Sequence, residues 1–206
     1  MALRCTVAAD VFDIGRCRPN SSESYFVDSN AWLWTTYLKA SQGRHPPDKV
    51  QTTYYPCFIA SAIKAGATLY TCGISLCELA GQIERTEHFV YTRGYGRPDL
   101  KEFRHNLLTE RKHVVAEVSA AWVQVKSMSS LLDVAVDTVS VRDALSQFGQ
   151  LALDVADLYI VETMKKKPVT SIITDDCDFA VVPGLTVFTA NQRVLDAARL
   201  QGKLRA

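Results

Sequence analysis

Twice in this chain a short apolar run ends directly on carboxylates. Tyr25-Phe-Val leads into Asp28-Ser-Asn30, and Thr170-Ser-Ile-Ile-Thr leads into Asp175-Asp-Cys-Asp178. Short runs rich in β-branched and aromatic residues read as buried strands, so the acids fall at their C-terminal ends. A helical stripe of Leu153, Ala156, Ile160 and Met164 precedes the second run and closes on Lys165-Lys-Lys-Pro. Strands separated by crossover helices build an α/β fold with a mainly parallel sheet. In such sheets ligands bind beyond the carboxyl ends of the strands, where Asp28 and Asp176 are expected.

The rest of the chain fits the same alternation. Thr6 to Ile14 is apolar and strand-like, and a polar loop follows it, so it reads as an appended edge element. Ala31, Trp32 and Trp34 mark a helix leaving the first acid-tipped strand. His45-Pro-Pro-Asp is a break, and Tyr55 to Ala65 resumes as a helix closed by Gly66. Thr68 to Ile74 reads as another strand. Ser75-Leu-Cys-Glu78 then opens a helix, because serine followed three residues later by glutamate can form a capping box. From Leu100 to Lys126 the apolar residues Phe103, Leu107, Val114, Val118, Ala121 and Val125 keep helical spacing, as one long helix or a bent pair inserted on a smaller fold. Pro183-Gly makes a turn before a further strand, Leu185 to Phe188.

A length of 206 residues suits one generous domain or a core with one helical insertion. Against 23 basic residues stand 22 acidic ones, a formal charge of +1, so any nucleic-acid site must be a local patch. Arg4 and Asp10 interrupt the N-terminal apolar run before a secretory core or a membrane span could form. The expectation is a soluble cytoplasmic protein with no membrane contact. The six cysteines contain no CxxC pair, which removes zinc-site spacing and favours reduced thiols.

The chemistry rests on Asp28 and Asp176 at strand ends and Glu78 and Asp157 on helices. Carboxylate oxygens suit Mg²⁺ or Mn²⁺, and clustered negative charge is tolerable when a cation neutralises it. Such a metal activates water and stabilises the oxygens of a phosphodiester undergoing hydrolysis. Each residue also has a structural reading. Glu78 can serve as the cap partner of Ser75, and aspartates after a strand often make turns. Asp154 reads as a solvated helix position outside the site. Trp32, Trp34 and Trp122 read as core.

Four segments in order resemble the PIN domain family. Tyr25-Phe-Val-Asp28-Ser-Asn30 is similar to the family's opening strand, and Ile74-Ser-Leu-Cys-Glu78-Leu to its second acid on a helix. Asp157-Leu-Tyr-Ile-Val-Glu-Thr-Met resembles the helix of the third acid. Thr174-Asp-Asp176-Cys-Asp178-Phe179, with Pro183-Gly-Leu-Thr-Val after it, resembles the last motif. The resemblance implies a three-layer α/β/α fold over residues 25–206, with 1–24 an N-terminal extension and 100–126 a helical insertion.

It further implies a Mg²⁺- or Mn²⁺-dependent endoribonuclease leaving 5′-phosphate and 3′-hydroxyl ends, in the manner of VapC-like toxins. Asp28, Glu78, Asp157 and Asp176 would be the catalytic acids, with Asp178 a further metal ligand and Asn30 and Thr174 supporting them. Lys165, Lys166 and Lys167 are candidates to bind substrate phosphate, beside their reading as a helix C-terminal cap. The partners expected are RNA, an antitoxin protein for a toxin, and a second copy in a homodimer. The extension and the helical segment make the chain longer than typical toxins. The alternative is a PIN-fold module that binds RNA or protein without cutting.

Overall fold

The computed structural model describes residues 5–205. Its centre is a seven-stranded sheet in the order β4-β3-β2-β5-β6-β1-β7. The strands are β1 (Asp10–Asp13), β2 (Ser24–Val27), β3 (Thr68–Cys72), β4 (Ser130–Leu132), β5 (Ser171–Ile173), β6 (Thr186–Thr189) and β7 (Leu204–Arg205). Every neighbouring pair is parallel.

Alternation along the strands divides the core into two layers. Tyr25 and Val27 of β2, Ile173 of β5 and Phe188 of β6 point to one face. There they pack against α1 (Ser29–Thr36), α2 (Lys49–Ala65), α3 (Gly73–Gly94) and α5 (Leu108–Met128). Phe26, Ile172 and Val187 point to the other face, against α6 (Thr138–Phe148), α7 (Val155–Lys166) and α8 (Gln192–Leu200). The α/β/α sandwich expected from the sequence is therefore the observed fold. Among the described residues no helix is long and apolar enough to cross a membrane. The six cysteines are free thiols.

Two local expectations need correction. β1 is not an edge: it lies between β6 and β7, with Asp10 opposite Thr186 and Val11 opposite Leu204. Of the two forms expected from Leu100 onward the bent pair is the one observed, because Leu107 (φ −108, ψ 73) leaves helical geometry between α4 (Leu100–Asn106) and α5. α5 buries Ala121 and Val125 in the same core as Trp32 and Ile83, so it belongs to the helical layer it covers. The Ser75–Glu78 capping box does not form. α3 starts at Gly73, directly after β3, and Cys72 at its N-cap makes no side-chain cap bond.

The strand order places one crevice above all others. From β2 the sheet grows through β3 to β4 on one side, and from β5 through β6 on the other. This is a topological switch point, where helices diverge to opposite faces and leave a crevice at the carboxyl ends. Val27 pairs with Ile173, so the next residues, Asp28 and Thr174, emerge side by side.

Candidate metal centre

Asp28 ends β2 and caps α1, and only 4% of it is exposed. Its Oδ1 accepts from the Ser29 amide at 2.6 Å, and its Oδ2 accepts from Asn30 Nδ2 at 2.7 Å and Thr174 Oγ1 at 2.6 Å. Thr174 in turn accepts the Asp176 amide at 2.9 Å, and Asn30 Oδ1 accepts the Asp175 amide at 3.3 Å. Two side chains thus tie the end of β2 to the loop after β5. Burial, offset in part by the Thr174 hydrogen bond, and the charges of Glu78 and Asp176 push the Asp28 carboxyl up to about 7.

Asp157 lies in the first turn of α7, whose N-cap Asp154 accepts the Asp157 amide at 2.9 Å. It is 7% exposed, and no donor among the described residues reaches its carboxylate. Burial, then the charges of Asp154, Asp28, Asp176 and Glu78, push it up to about 9. Burial also raises Glu78, with Asp154 and Asp176 adding to it and the Ser29 hydroxyl opposing. Asp176 is raised by burial first, and its Oδ1 accepts the Asp178 amide at 2.9 Å. Asp28, Glu78, Asp157 and Asp176 therefore share one electrostatic cluster, and the charges that shift them are all carboxylates.

Within the cluster the spacing is uneven. Ligand atoms of Asp176, Cys177 and Asp178 all lie within 4.8 Å of one another. Burial first, and then Asp178, pushes the Cys177 thiol up to about 12, which leaves the two carboxylates as the anionic ligands of that trio. Among the described residues, Asp28, Glu78 and Asp157 belong to no such trio. Hard oxygen donors alone suit Mg²⁺ or Mn²⁺, and the carboxylates present fit that choice.

The protein's treatment of its other buried acids sharpens the contrast. Glu84 is clamped by Arg104 and by Arg111 at 2.8 Å. Glu87 accepts from Tyr37 at 2.7 Å and Lys39 at 2.8 Å, and Lys39 also lies 3.0 Å from His113 Nε2. The trio Glu87, His113 and Glu117 has ligand spacing, but the Lys39 ammonium already supplies its positive charge. Asp28 and Asp157 are equally buried, and among the described residues neither has a basic partner.

Several participants carry no local signal. Asp175 is held by Tyr55 at 2.7 Å and Gln51 at 2.6 Å, which fixes it as a loop anchor and leaves Asp176 facing the cluster. Asn191 Nδ2 donates to the Asp175 carbonyl at 2.6 Å. Asp154, read from sequence as outside the site, adds its charge to Asp157, Glu78 and Asp176; its position three residues before Asp157 at a helix start was the available signal. Lys165, Lys166 and Lys167 stand at the opposite end of α7, roughly 14 Å from Asp157 at 1.5 Å per residue. Lys165 there binds Glu162 at 2.8 Å, so these lysines are not part of the cluster. No family model matches the chain, and no curated protein does.

Proposed function

We propose that this chain is a metal-dependent endoribonuclease of the PIN type, hydrolysing RNA to 5′-phosphate and 3′-hydroxyl ends. The observation that carries the reading is Asp157, a residue 7% exposed whose carboxylate has no hydrogen-bond donor among the described residues and is pushed up by burial and then by four other acids, with no base opposing. Burying an unpaired charge costs several kcal/mol, so the group must be protonated or sit beside a cation. The switch-point crevice and the order of the four acid motifs support the same reading.

Asp28, Glu78, Asp157, Asp176 and Asp178 would hold the cation, with Asn30 and Thr174 orienting Asp28. When bound, Mg²⁺ or Mn²⁺ supplies a water of lowered pKa and stabilises charge on the phosphate. The protein's own part is to fix the Asp28 oxygens through three donors, to bury Asp28 and Asp157, and to carry Glu78 and Asp157 on helices. A carboxylate of the cluster can accept the proton of the attacking water.

The test is incubation of the purified chain with labelled RNA and DNA panels, with Mn²⁺, Mg²⁺ or EDTA. RNA is expected to be cut only with metal, and Asp157→Asn to abolish cutting. Thermal scans should rise with Mn²⁺ by linkage to the folded state. Coincident melts with and without metal, or cleavage of DNA alone, would sink the proposal.

A further inference from the structure

Glu78, Gln82, Arg85, Phe89 and Arg93 follow one another at intervals of three or four residues, so they share a single stripe of α3. From Gln82 onward the stripe lines a groove with a cavity volume of about 1060 Å³. The remaining lining includes Trp34 of α1, Arg44 and His45 of the loop that follows, and Arg97 before α4. Gly43 lets that loop lie close to α3, since a Cβ there would come within 3.2 Å of Thr86 Oγ1.

Gln82 links the groove lining to the acid cluster. Gln82 is one turn beyond Glu78, and its Nε2 donates at 3.4 Å to the hydroxyl of Ser29, the neighbour of Asp28. From Glu78 to Arg93 the stripe runs roughly 22 Å at 1.5 Å per residue.

Its charge is one-sided. No carboxylate lines the groove. Arg44, Arg85, Arg93 and Arg97 are exposed and make no ion pair among the described residues. Nearby Arg104 and Arg111, by contrast, are both spent on Glu84. In a chain of formal charge +1, four free guanidiniums in one groove are a local basic field. Between them stand two half-buried aromatics, Trp34 and Phe89, and Trp34 is steadied by Tyr55 at a ring separation of 5.0 Å.

We propose that this groove holds the single-stranded RNA leading to the acid cluster. The arginines bind its phosphates, and Trp34 and Phe89 take its bases. Planar guanidiniums bind phosphate oxygens in pairs, and an aromatic face stacks any unpaired base. A duplex keeps its bases stacked inside and cannot offer them to these rings. An acidic peptide would satisfy the arginines and leave the aromatics without a role. The assignment rests on the nuclease reading for its direction, but strand binding itself needs no metal.

The experiment uses the full chain in EDTA, with fluorescence anisotropy on a labelled RNA strand of about ten nucleotides, a size within the usual range for such grooves. The matching DNA strand, an RNA duplex and a polyglutamate peptide are compared with it over a salt series. The RNA strand is expected to bind more tightly than the other three. The triple variant Arg85→Ala, Arg93→Ala, Arg97→Ala should weaken it at least ten-fold and reduce the salt slope by about 2, since each single-strand phosphate contact contributes about 0.7. Phe89→Leu should weaken binding with the slope unchanged. Alanine at Lys165, Lys166 and Lys167 together should change neither. An unaltered slope in the triple variant, tighter binding of polyglutamate, or a preference for the DNA strand or the duplex overturns the proposal. Cleavage with Mn²⁺ is scored separately. Cutting by a chain whose groove variants bind normally leaves the nuclease reading and removes the groove. Groove-dependent binding without any cutting does the reverse.

Discussion

Asp28 and Asp157 are both buried acids, yet their neighbours make them respond oppositely to neutralisation. Asp28 accepts from three donors. In Asp28→Asn an amide N–H must face one of them, so the variant should melt below wild type. Asp157 accepts from none among the described residues, and Asp157→Asn removes the cost of keeping a proton on that carboxyl without breaking a bond. In EDTA near pH 8 it should melt above wild type, by roughly 2–4 °C for each kcal/mol of that cost removed, and it should no longer gain from Mn²⁺. Both carboxyls are raised from 3.8, to about 7 and about 9. The folded state therefore keeps protons that the unfolded state has released, and metal-free stability falls as pH climbs from about 4 through 7 towards 9. Scans in EDTA across that range should show the decline in wild type and a shallower one in Asp157→Asn. A flat wild-type profile would mean that the folded state does not raise these two carboxyls.

Helix starts separate structural acids from available ones. Ser75 is the third residue of α3, buried, with its hydroxyl 3.7 Å from Cys72 Sγ. Ser75→Ala should therefore cost less than the ~1 kcal/mol of a lost N-cap. Glu78 has no capping duty either, so Glu78→Gln should melt near wild type and lose metal-dependent cleavage. In α7 the cap is real. Asp154→Ser keeps an acceptor for the Asp157 amide while removing a charge, and in EDTA it should be more stable than Asp154→Ala by about 1 kcal/mol in urea unfolding. The sequence made α7 legible because its stripe, its acids and its lysine-rich end are all local. The start of α3 was misread because Ser75-Leu-Cys-Glu78 imitates a capping box, while β3 passes into α3 with no loop to mark the boundary.

Across the whole molecule, legibility fades where partners are distant. Nothing within Thr6 to Ile14 encodes its pairing with Thr186–Thr189, so the terminal position suggested an edge. Val11 is fully buried on the face it shares with Phe26 and Val187, although nothing local to its segment announces the strand on either side. Tyr55 is a second case. From the middle of α2 its hydroxyl donates to the Asp175 carboxylate at 2.7 Å or the Thr174 carbonyl at 3.1 Å, and it accepts the Ala190 amide at 2.9 Å. It joins a helix to the ends of β5 and β6 although no short motif announces it. Tyr55→Phe should lower stability by about 1–3 kcal/mol, as expected for a buried polar group left unpaired. Calorimetry can measure this, and the loosened loop should lower cleavage below the melting transition as well.

The bonds from Asn30 to Thr174 and from Thr174 to Asp28 join residues 144 and 146 positions apart. During translation, Asp28 and Glu78 are made long before β5 exists to gather them. At roughly 5–20 residues per second, the nascent chain spends on the order of ten seconds without an assembled centre. If the proposed function holds, the strand order keeps a nascent chain from cutting RNA until β5 has delivered Thr174 and Asp176 to Asp28.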